Sequence, residues 1–377
     1  MRKFTLIAGL ILLAIVLLVV SVPKLRYSAM GSVNKEPRID GMPAGYWMYT
    51  VRQPGDADDR IVAINNLTEM GAAVPGTLDT LRSASADPEP RVRAAAVTAL
   101  GRLATVEQVT EDLFKLLADP DGAVRASTAS AIGQLRPAGQ PVLNALLKQA
   151  KNDGYVPAKV AAISALGQYG VAAFDAAPSL IESLMETDTP NGSPHIAAVS
   201  ALSRICINHS PLLTASLSRA EVRVRLGLLK SLAEIGPPSI TAIPVVTKMT
   251  TDSDPIVRLE AAQTLWRIEQ KPEVPLSIAR KHLSLVQPDR MIRIGTRTKA
   301  LYLLGEMGLA GMPAVPELIQ ILKAEPESAI RMYTAMALGK IGRTPEIMNA
   351  LETSSKMDLD PDVCWAANET MKLYKGK

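Results

Sequence analysis

The sequence predicts an all-α protein: a right-handed α-solenoid of about ten two-helix repeats, preceded by one transmembrane helix. Two observations lead to this prediction. A pattern of apolar residues at helical spacing recurs about every 34 residues from position 58 onwards, and nineteen mostly apolar residues stand near the N-terminus. Repeats of this length bury their apolar faces by stacking on their neighbours, which explains how one array can extend over most of the chain.

The clearest copy of the repeat is residues 87–104, with the sequence DPEPRVRAAAVTALGRLA. Its acidic residue and prolines can begin a helix but cannot continue one. Apolar residues then follow at the i, i+4, i+7 spacing of a helix with one buried stripe. We take Arg93 as the anchor of this copy and count positions in every repeat from its anchor. The ten anchors are Arg60, Arg93, Arg125, Lys159, His195, Arg225, Arg258, Arg297, Arg331 and Cys364.

Position +7 of the repeat is bulky and apolar in all ten copies, which predicts a fully buried register. Its residues are Leu67, Leu100, Ile132, Leu166, Leu202, Leu232, Leu265, Leu304, Leu338 and Met371. Side chains at position +10 are also large, whereas those at +3 are mostly small, so neighbouring helices can interdigitate. Glycine at +11 predicts the helix end in five copies: Gly71, Gly170, Gly236, Gly308 and Gly342.

A second, shorter apolar run lies between consecutive anchor helices and usually begins with proline, as at Pro141 and Pro316. Proline is tolerated in the first turn of a helix because the N–H that it lacks has no partner there. The repeat unit is therefore two helices joined by short turns.

Residues 1–30 carry four basic residues and no acidic one, and 4–22 are almost entirely apolar. Nineteen helical residues span about 28 Å, close to the thickness of the hydrocarbon core of a bilayer. We therefore expect a signal-anchor or transmembrane segment within 1–30, with its helix at about 4–22. The short tail before this helix favours a single-pass protein with a cytoplasmic N-terminus and an extracytoplasmic repeat domain. The alternative is secretion after signal cleavage, although signal peptides usually have an apolar core of only about 7–15 residues.

Residues 31–57 differ in composition from the segments on either side and are expected to form a linker with an aromatic cap. The cluster of Tyr46, Trp47 and Tyr49 is predicted to cover the apolar end of the first repeat, as terminal repeats require. The rest of the segment is interpreted as a tether, and residues 58–377 as the repeat domain.

The charge of the chain argues against nucleic acid as a partner. The chain has 41 basic and 37 acidic residues, and removing the four basic residues of the N-terminal segment leaves 37 of each sign. A repeat protein that follows a phosphate backbone should carry a basic stripe, and it needs aromatic side chains to stack on bases. Aromatic residues make up only 4% of this chain.

Motifs for catalysis, cofactors or metals are not found in the sequence. Of the histidines, only His209 has a partner at metal-like spacing, Cys206, and a structural zinc needs about four ligands. His195 replaces an anchor arginine, while His209 and His282 are expected to be solvated. Cys206 and Cys364 occupy repeat registers, where cysteine behaves as a small apolar residue. We therefore predict no catalytic residue, no cofactor and no metal.

The pattern of an acidic residue six positions before the anchor, then Val-Arg, an alanine-rich helix and Leu-Gly resembles HEAT repeats, in the short form also seen in phycobilisome-lyase-like proteins. In that family the Asp and Arg of adjacent repeats form a hydrogen-bonded ladder along the inner helices. The resemblance implies this ladder at four places: Asp87 with Arg93, Asp119 with Arg125, Asp252 with Arg258, and Glu325 with Arg331. This sequence departs from the pattern at Pro54 before Arg60, Thr189 before His195, Arg219 before Arg225, and Met291 before Arg297.

Positions +5 and +9 of the anchor helix are one turn apart and lie off the apolar stripe. We call this surface the +5/+9 face; in the family, the anchor helix lines the concave groove. Position +5 is small and uncharged in the early repeats, as at Thr98 and Ser130, and larger in the later ones. The candidate partner-binding residues lie on or next to this face in the later repeats, and they are of types that binding sites favour: Arg267, Tyr302, Tyr333 and Met336.

Two functions fit this sequence. The first is a membrane-anchored scaffold that binds a protein or peptide partner along its concave groove, with Tyr302 and Tyr333 flanking one site. The alternative is an enzyme or enzyme subunit resembling HEAT-repeat chromophore lyases. That alternative requires a pocket with convergent polar groups, which the sequence does not locate.

Overall fold

The computed structural model describes residues 13–218, 221–284 and 289–375. The chain divides into two compact units, Met1–Ala201 and Leu202–Lys377. Helices make up most of both units, and within each unit the two helices of a repeat pack on each other and on the next repeat.

The elements that begin in the first unit alternate long and short helices after an N-terminal hairpin. They are α1 (Leu13–Ser21), α2 (Pro23–Val33), β1 (Arg38–Ile39), β2 (Met42–Pro43), α3 (Ala44–Arg52), α4 (Ala57–Met70), α5 (Thr77–Ala84), α6 (Pro90–Leu103), α7 (Val106–Leu116), α8 (Gly122–Leu135), α9 (Gln140–Asn152), α10 (Val156–Tyr169), a 3-10 turn (Gly170–Ala176), α11 (Ala177–Ser183) and α12 (Pro194–Ile205).

The second unit continues the same alternation. Its elements are α13 (Ser210–Ser216), α14 (Val222–Ile235), a 3-10 turn (Pro237–Ala242), α15 (Ile243–Met249), α16 (Pro255–Glu269), α17 (Glu273–Ser284), α18 (Arg290–Glu306), a 3-10 turn (Gly308–Ala314), α19 (Val315–Ala324), α20 (Ser328–Ile341), α21 (Pro345–Met357) and α22 (Pro361–Lys375). In both units the even-numbered helices from α4 to α22 each carry one anchor residue.

The predicted buried register is confirmed in nine of the ten copies, and Met371 in the last copy is only partly buried. Leu100, Leu166 and Leu338 at position +7 are each 0% exposed, whereas Thr98 and Ser164, two residues earlier, are exposed. Burial of a leucine side chain contributes roughly 2 kcal/mol to folding, so this register supplies much of the apolar driving force. The sequence therefore places the helical phase correctly.

The predicted helix ends are found at the +11 glycines. The residue after α4, Gly71, has a φ of 92°, in the region that other residues rarely adopt. Gly170, Gly236 and Gly308 also have positive φ, while Gly342 has an extended backbone with a φ of 165°.

Anchor helices of the first unit approach one another closely because position +8 is glycine. A Cβ placed on Gly101 in α6 would lie 2.7 Å from the Ala131 Cβ and 2.9 Å from its Cα in α8. Two further pairs share this geometry: Gly133 with Ala165, and Gly167 with Ala201. Small residues on both sides therefore set the spacing of these helices.

The segment 31–57 is folded, which corrects its interpretation as a tether. It contains part of α2, the β1–β2 hairpin and α3, and α3 packs on α4. Trp47 is 8% exposed and its ring meets that of Tyr46 edge-on at 5.1 Å. The hairpin is possible here because Gly41 in its turn has a φ of 74°.

Residues 4–12 of the expected membrane helix lie outside the described residues. The described part, α1, has large apolar side chains that are between 50% and 60% exposed: Leu13, Ile15, Val16, Leu17, Leu18 and Val20. Within the described chain, one helical run is long and apolar enough to span a membrane on its own, Val156–Ser183, and it is 44% buried. Because this run joins α10 to α11 in the core of a repeat, it is weak evidence for a span.

Candidate functional site

The anchor arginines form side-chain ion pairs that join one repeat to the next. Arg93 donates from Nε and Nη2 to the carboxylate of Asp119 at 2.9 and 2.8 Å. Its Nη1 donates to the main-chain carbonyl of Asp87 at 2.9 Å. One guanidinium thus binds the acidic side chain of the following repeat and the main chain of its own repeat.

This geometry corrects the pairing that the family resemblance implied, because each side-chain pair is shifted by one repeat. Asp119 also accepts the main-chain N–H of Asp121, the N-cap residue of α8, at 2.9 Å, so it is fixed just before its own helix while facing back towards the preceding one. The observed side-chain pairs are Arg60–Asp87, Arg93–Asp119, Arg125–Asp153, Arg225–Asp252, Arg297–Glu325 and Arg331–Asp358.

The shift also explains what happens where the acidic residue is missing. Arg60, Arg225 and Arg297 have partners, because the following repeat supplies them. A missing acid instead affects the anchor of the preceding repeat. Lys159 is an example, because the following repeat has Thr189 at the acidic position, and Lys159 pairs with Glu186 at 2.7 Å instead.

Arg258 shows the same effect, since its Nε donates to the Nε2 of His282 at 3.2 Å. Asp252, the acid of its own repeat, offers it only a main-chain carbonyl at 2.7 Å. His195 takes the anchor place in α12, and its Nδ1 lies 2.8 Å from the Leu184 carbonyl.

His282 is 1% exposed, so the expectation that it is solvated is wrong. Because its Nε2 accepts from Arg258, its proton lies on Nδ1, which donates to the Ile278 carbonyl at 2.8 Å. Burial lowers the pKa of His282, and the positive charges of Arg258 and Lys281 add to this effect. The imidazole is therefore neutral where other repeats place a carboxylate.

Asp358 shows the usual electrostatics of the ladder. The hydrogen bonds from Arg331, at 2.8 and 2.9 Å, lower the pKa of its carboxyl group, and the main-chain N–H of Asp360 lowers it further. The carboxylate of Asp358 therefore stays ionised below its usual range, where it holds the Arg331 guanidinium in place.

The structure places three of the four candidate binding residues at the surface of consecutive anchor helices in the second unit. Tyr302 in α18 is 50% exposed, and Tyr333 and Met336 in α20 are 37% and 38% exposed. The fourth, Arg267 in α16, is held by Glu306 through a 2.6 Å ion pair. Its guanidinium is therefore already engaged within the protein.

A polar cluster surrounds Arg267, between α16 and α18. Glu260 is only 4% exposed and pairs with Lys299 at 2.7 Å. Lys299 also donates to Gln263 at 3.0 Å, and Gln263 donates to Glu306.

Position +8 of α16 is Trp266. A side chain of this size prevents the close approach that glycine allows between α6 and α8, and polar side chains fill the junction instead.

The sequence interpretation included Tyr333 at position +2 but missed Glu260 and Lys299 at the same position. Position +2 is small in five consecutive repeats and then carries Glu260, Lys299 and Tyr333. The small residues are Ala95, Ser127, Ala161, Ala197 and Gly227. This change of size within one register was a signal that could have located the cluster. Lys340 was also missed: its ammonium lies 5.2 Å from the centre of the Tyr302 ring.

The described residues offer few other groups that could bind a metal or act in catalysis. No group of three or more His, Cys, Asp or Glu side chains there is placed to hold a metal ion. A surface cleft of about 760 Å³ lies between α17 and α19, and its Arg280 and Glu317 pair with each other. Burial raises the pKa of the Cys206 thiol to about 11, which leaves it a poor nucleophile.

Comparison with known proteins supports the repeat assignment. The family model described as HEAT repeats matches residues 49–133 and 210–284. A comparison with curated proteins finds no match.

Among solved structures, a chain from the structure of Kap95p binding to RanGDP matches with a TM-score of 0.62 and 11% identity, covering 93% of this chain and 52% of that one. The karyopherin Kap121p, bound to the extreme C-terminus of the phosphatase Cdc14p, matches with a TM-score of 0.53 and 14% identity, covering 93% of this chain and 43% of its own. The CpcE–CpcF phycocyanin lyase complex from Nostoc sp. is 22% identical over 64% of this chain and 92% of that one, with a TM-score of 0.36.

This chain spans about half the length of the karyopherin chains that it matches. At these identities the likeness concerns the fold and not the function. Residues 49–133 and 210–284 are thus similar to HEAT repeats, and the chain shares the helical-repeat fold of the karyopherins.

Proposed function

We propose that this protein is a membrane-anchored helical-repeat scaffold that binds a protein or peptide partner on the +5/+9 face of its second unit. The observation that carries the proposal is the set of large, exposed side chains on the consecutive anchor helices α18 and α20: Tyr302, Tyr333 and Met336. Tyrosines supply much of the binding energy in protein interfaces because they bury large areas at a low entropic cost.

The polar cluster prepares this surface for binding. Lys340 lies over the Tyr302 ring, and Glu306 is held by Arg267 and Gln263, so these groups are ordered before a partner arrives. Preorganisation lowers the entropy lost on association. Because the charges are largely paired inside the protein, a partner is recognised mainly through desolvation of the aromatic and methionine side chains.

The fold is suited to this task. Kap121p has been solved in complex with the C-terminus of Cdc14p and with Nup53p. Helical-repeat surfaces of this kind can therefore hold protein segments, and extended surfaces are a general property of repeat arrays. No observation on the described residues favours the lyase-like alternative.

Membrane attachment rests on α1 and the residues before it. The apolar side chains of α1 are exposed, and the first 30 residues carry only basic charges.

Site-specific photocrosslinking in membranes tests the partner-binding surface. A photoreactive amino acid replaces Tyr302 in the full-length protein, and a second variant carries it in place of the exposed Thr98 in the first unit. We expect a discrete crosslinked protein from position 302 and none from position 98. Crosslinking of the same protein from position 98 alone would show that the binding surface lies elsewhere.

A further inference from the structure

One side of helix α2 is fixed to the protein. Gly31 is buried against β2, where an added Cβ would lie 2.3 Å from the Cβ of Pro43. Arg38 donates to the Ser28 carbonyl at 2.8 Å and to the Ser32 hydroxyl at 2.6 Å. These contacts hold α2 firmly on the hairpin, which connects directly to α3.

The opposite side of α2 is apolar and exposed. Leu25, Met30 and Val33 are 42%, 51% and 81% exposed. With about 3.6 residues per turn, these three and Ala29 fall on one broad stripe centred opposite Gly31, which also includes the half-buried Arg26. A stripe of this kind beside a second exposed apolar helix marks a surface that meets something other than water.

The position of α2 relative to α1 points to the occupant. The two helices meet at a bend of 100°. If α1 crosses the bilayer along its normal, in line with the proposed function, the bend places α2 about 10° from the membrane plane. Helices that lie in this plane bury one apolar side at the boundary between headgroups and acyl chains.

The charges around the bend fit an anionic lipid surface. Lys24 is exposed at the start of α2, and no acidic residue occurs between positions 13 and 35. Arg26 lies 4.8 Å from the centre of the Tyr27 ring, which packs against Tyr49 at 5.2 Å. Basic and tyrosine side chains are characteristic of the membrane–water interface.

We infer that α2 is an interfacial helix whose Leu25–Val33 stripe lies in the headgroup region of a membrane containing anionic lipids. This inference rests on the proposed membrane anchor and extends it. Because α2 is fixed to the hairpin and α3, and α3 packs on α4, the first repeat is held at the membrane surface and not on a flexible tether.

Environment-sensitive labels on the full-length protein in lipid vesicles test this inference. Single cysteines replace Leu17 in α1, Val33 in α2 and Val62 in α4, in a background with Cys364→Ser. Buried Cys206, with its raised pKa, should not react with the label. Val62 is a matched control, because it is a valine that is 49% exposed on the first repeat.

We expect lipid-borne quenchers to reach the labels at positions 17 and 33, with the shallow quencher more effective at 33, and an aqueous quencher to reach position 62. If position 17 is immersed while 33 behaves like 62, the anchor stands and the interfacial helix is wrong. If position 17 is also in water, both the anchor and this inference fail.

Lipid charge and a paired substitution sharpen the test. Quenching of the label at position 33 should increase several-fold when phosphatidylglycerol is added to phosphatidylcholine vesicles. Equal quenching in the two lipids would overturn the role of anionic headgroups. Leu25→Glu with Met30→Glu should move the label at 33 into water while position 17 stays immersed, and unchanged thermal melting would show that the fold is intact. Continued immersion of position 33 would contradict the inference.

Discussion

The junction between α6 and α8 in the first unit and the junction between α16 and α18 in the second use the same repeat in opposite ways. In the first, Gly101 meets Ala131 so closely that an added Cβ would lie 2.7 Å from the alanine Cβ. In the second, Trp266 takes the glycine position, and the pairing of Glu260 with Lys299 connects the helices. Tight stacking leaves small side chains at the first junction, whereas the second carries charged ones.

This difference separates the residues that maintain the fold from those that are free to acquire a function. Position +7 is buried in both units, as Leu100 and Leu338 show. Positions +2 and +5 carry no such constraint, and after a run of small residues they become large in the later repeats. A repeat protein can therefore develop a binding surface where its stacking is relaxed, without altering its core.

The core register should show no difference between the units. Leu100→Ala and Leu338→Ala should each lower the free energy of unfolding by roughly 2–5 kcal/mol, because each leaves a cavity around a fully buried site. Chemical denaturation followed by circular dichroism measures this loss. Thr98→Ala and Met336→Ala, two positions earlier, should cost less than about 1 kcal/mol. Equal losses in both registers would mean that the helix phase is wrong.

The polar cluster should be sensitive to the loss of one partner and tolerant of the loss of both. Lys299→Met leaves the 4%-exposed Glu260 without its cation, and we expect a loss of about 3 kcal/mol in unfolding free energy. The double variant Glu260→Gln, Lys299→Met should recover most of this loss, since no buried charge then remains unpaired. A double variant as unstable as the single one would show that the pair does not act as a unit.

Glycine substitutions test the difference in helix spacing. Gly101→Ala should lower the unfolding free energy by roughly 1–3 kcal/mol, because the new Cβ meets the main chain of Ala131 at 2.9 Å. Gly305→Ala at the same register of α18 should be near neutral or slightly stabilising. There the nearest atoms, at 3.3 and 3.4 Å, are the flexible Lys340 side chain and the Ala337 Cα, and alanine favours the helix. Comparable losses at both sites would contradict this account of the stacking.

Mild acid should weaken the ladder position at which His282 replaces a carboxylate. Burial lowers the pKa of His282, so the unfolded chain takes up a proton at a higher pH than the folded one. The stability that depends on neutral His282 is present above the ordinary histidine pKa of about 6.5 and is lost as the pH falls below it. The melting temperature of the wild type should therefore fall more between pH 7.5 and 5 than that of His282→Gln. Parallel curves for the two proteins would exclude this role.

The sequence predicted the helices and their buried stripe because one register repeats ten times with unchanged chemistry. It did not reveal the direction of the ladder, since spacing identifies Arg93 and its acidic partners but not which repeat each carboxylate faces. The fold of residues 31–57 was also missed, because a single hairpin held by Arg38 and Gly31 has no periodic signal. Among the candidate binding residues, Arg267 could be identified by its type, but its engagement with Glu306 depends on helix spacing, which only the structure provides.

The central claim is that a partner binds the second unit through its exposed aromatic side chains. The most direct measurement is the affinity of the crosslinked partner for full-length protein carrying Tyr302→Ala and Tyr333→Ala, compared with protein carrying Thr98→Ala and Ser130→Ala. We expect the tyrosine variant to bind more weakly by about 2 kcal/mol or more, at nearly unchanged melting temperature and with weak dependence on salt. Loss of binding in the Thr98 and Ser130 variant, with the tyrosine variant unaffected, would contradict the account.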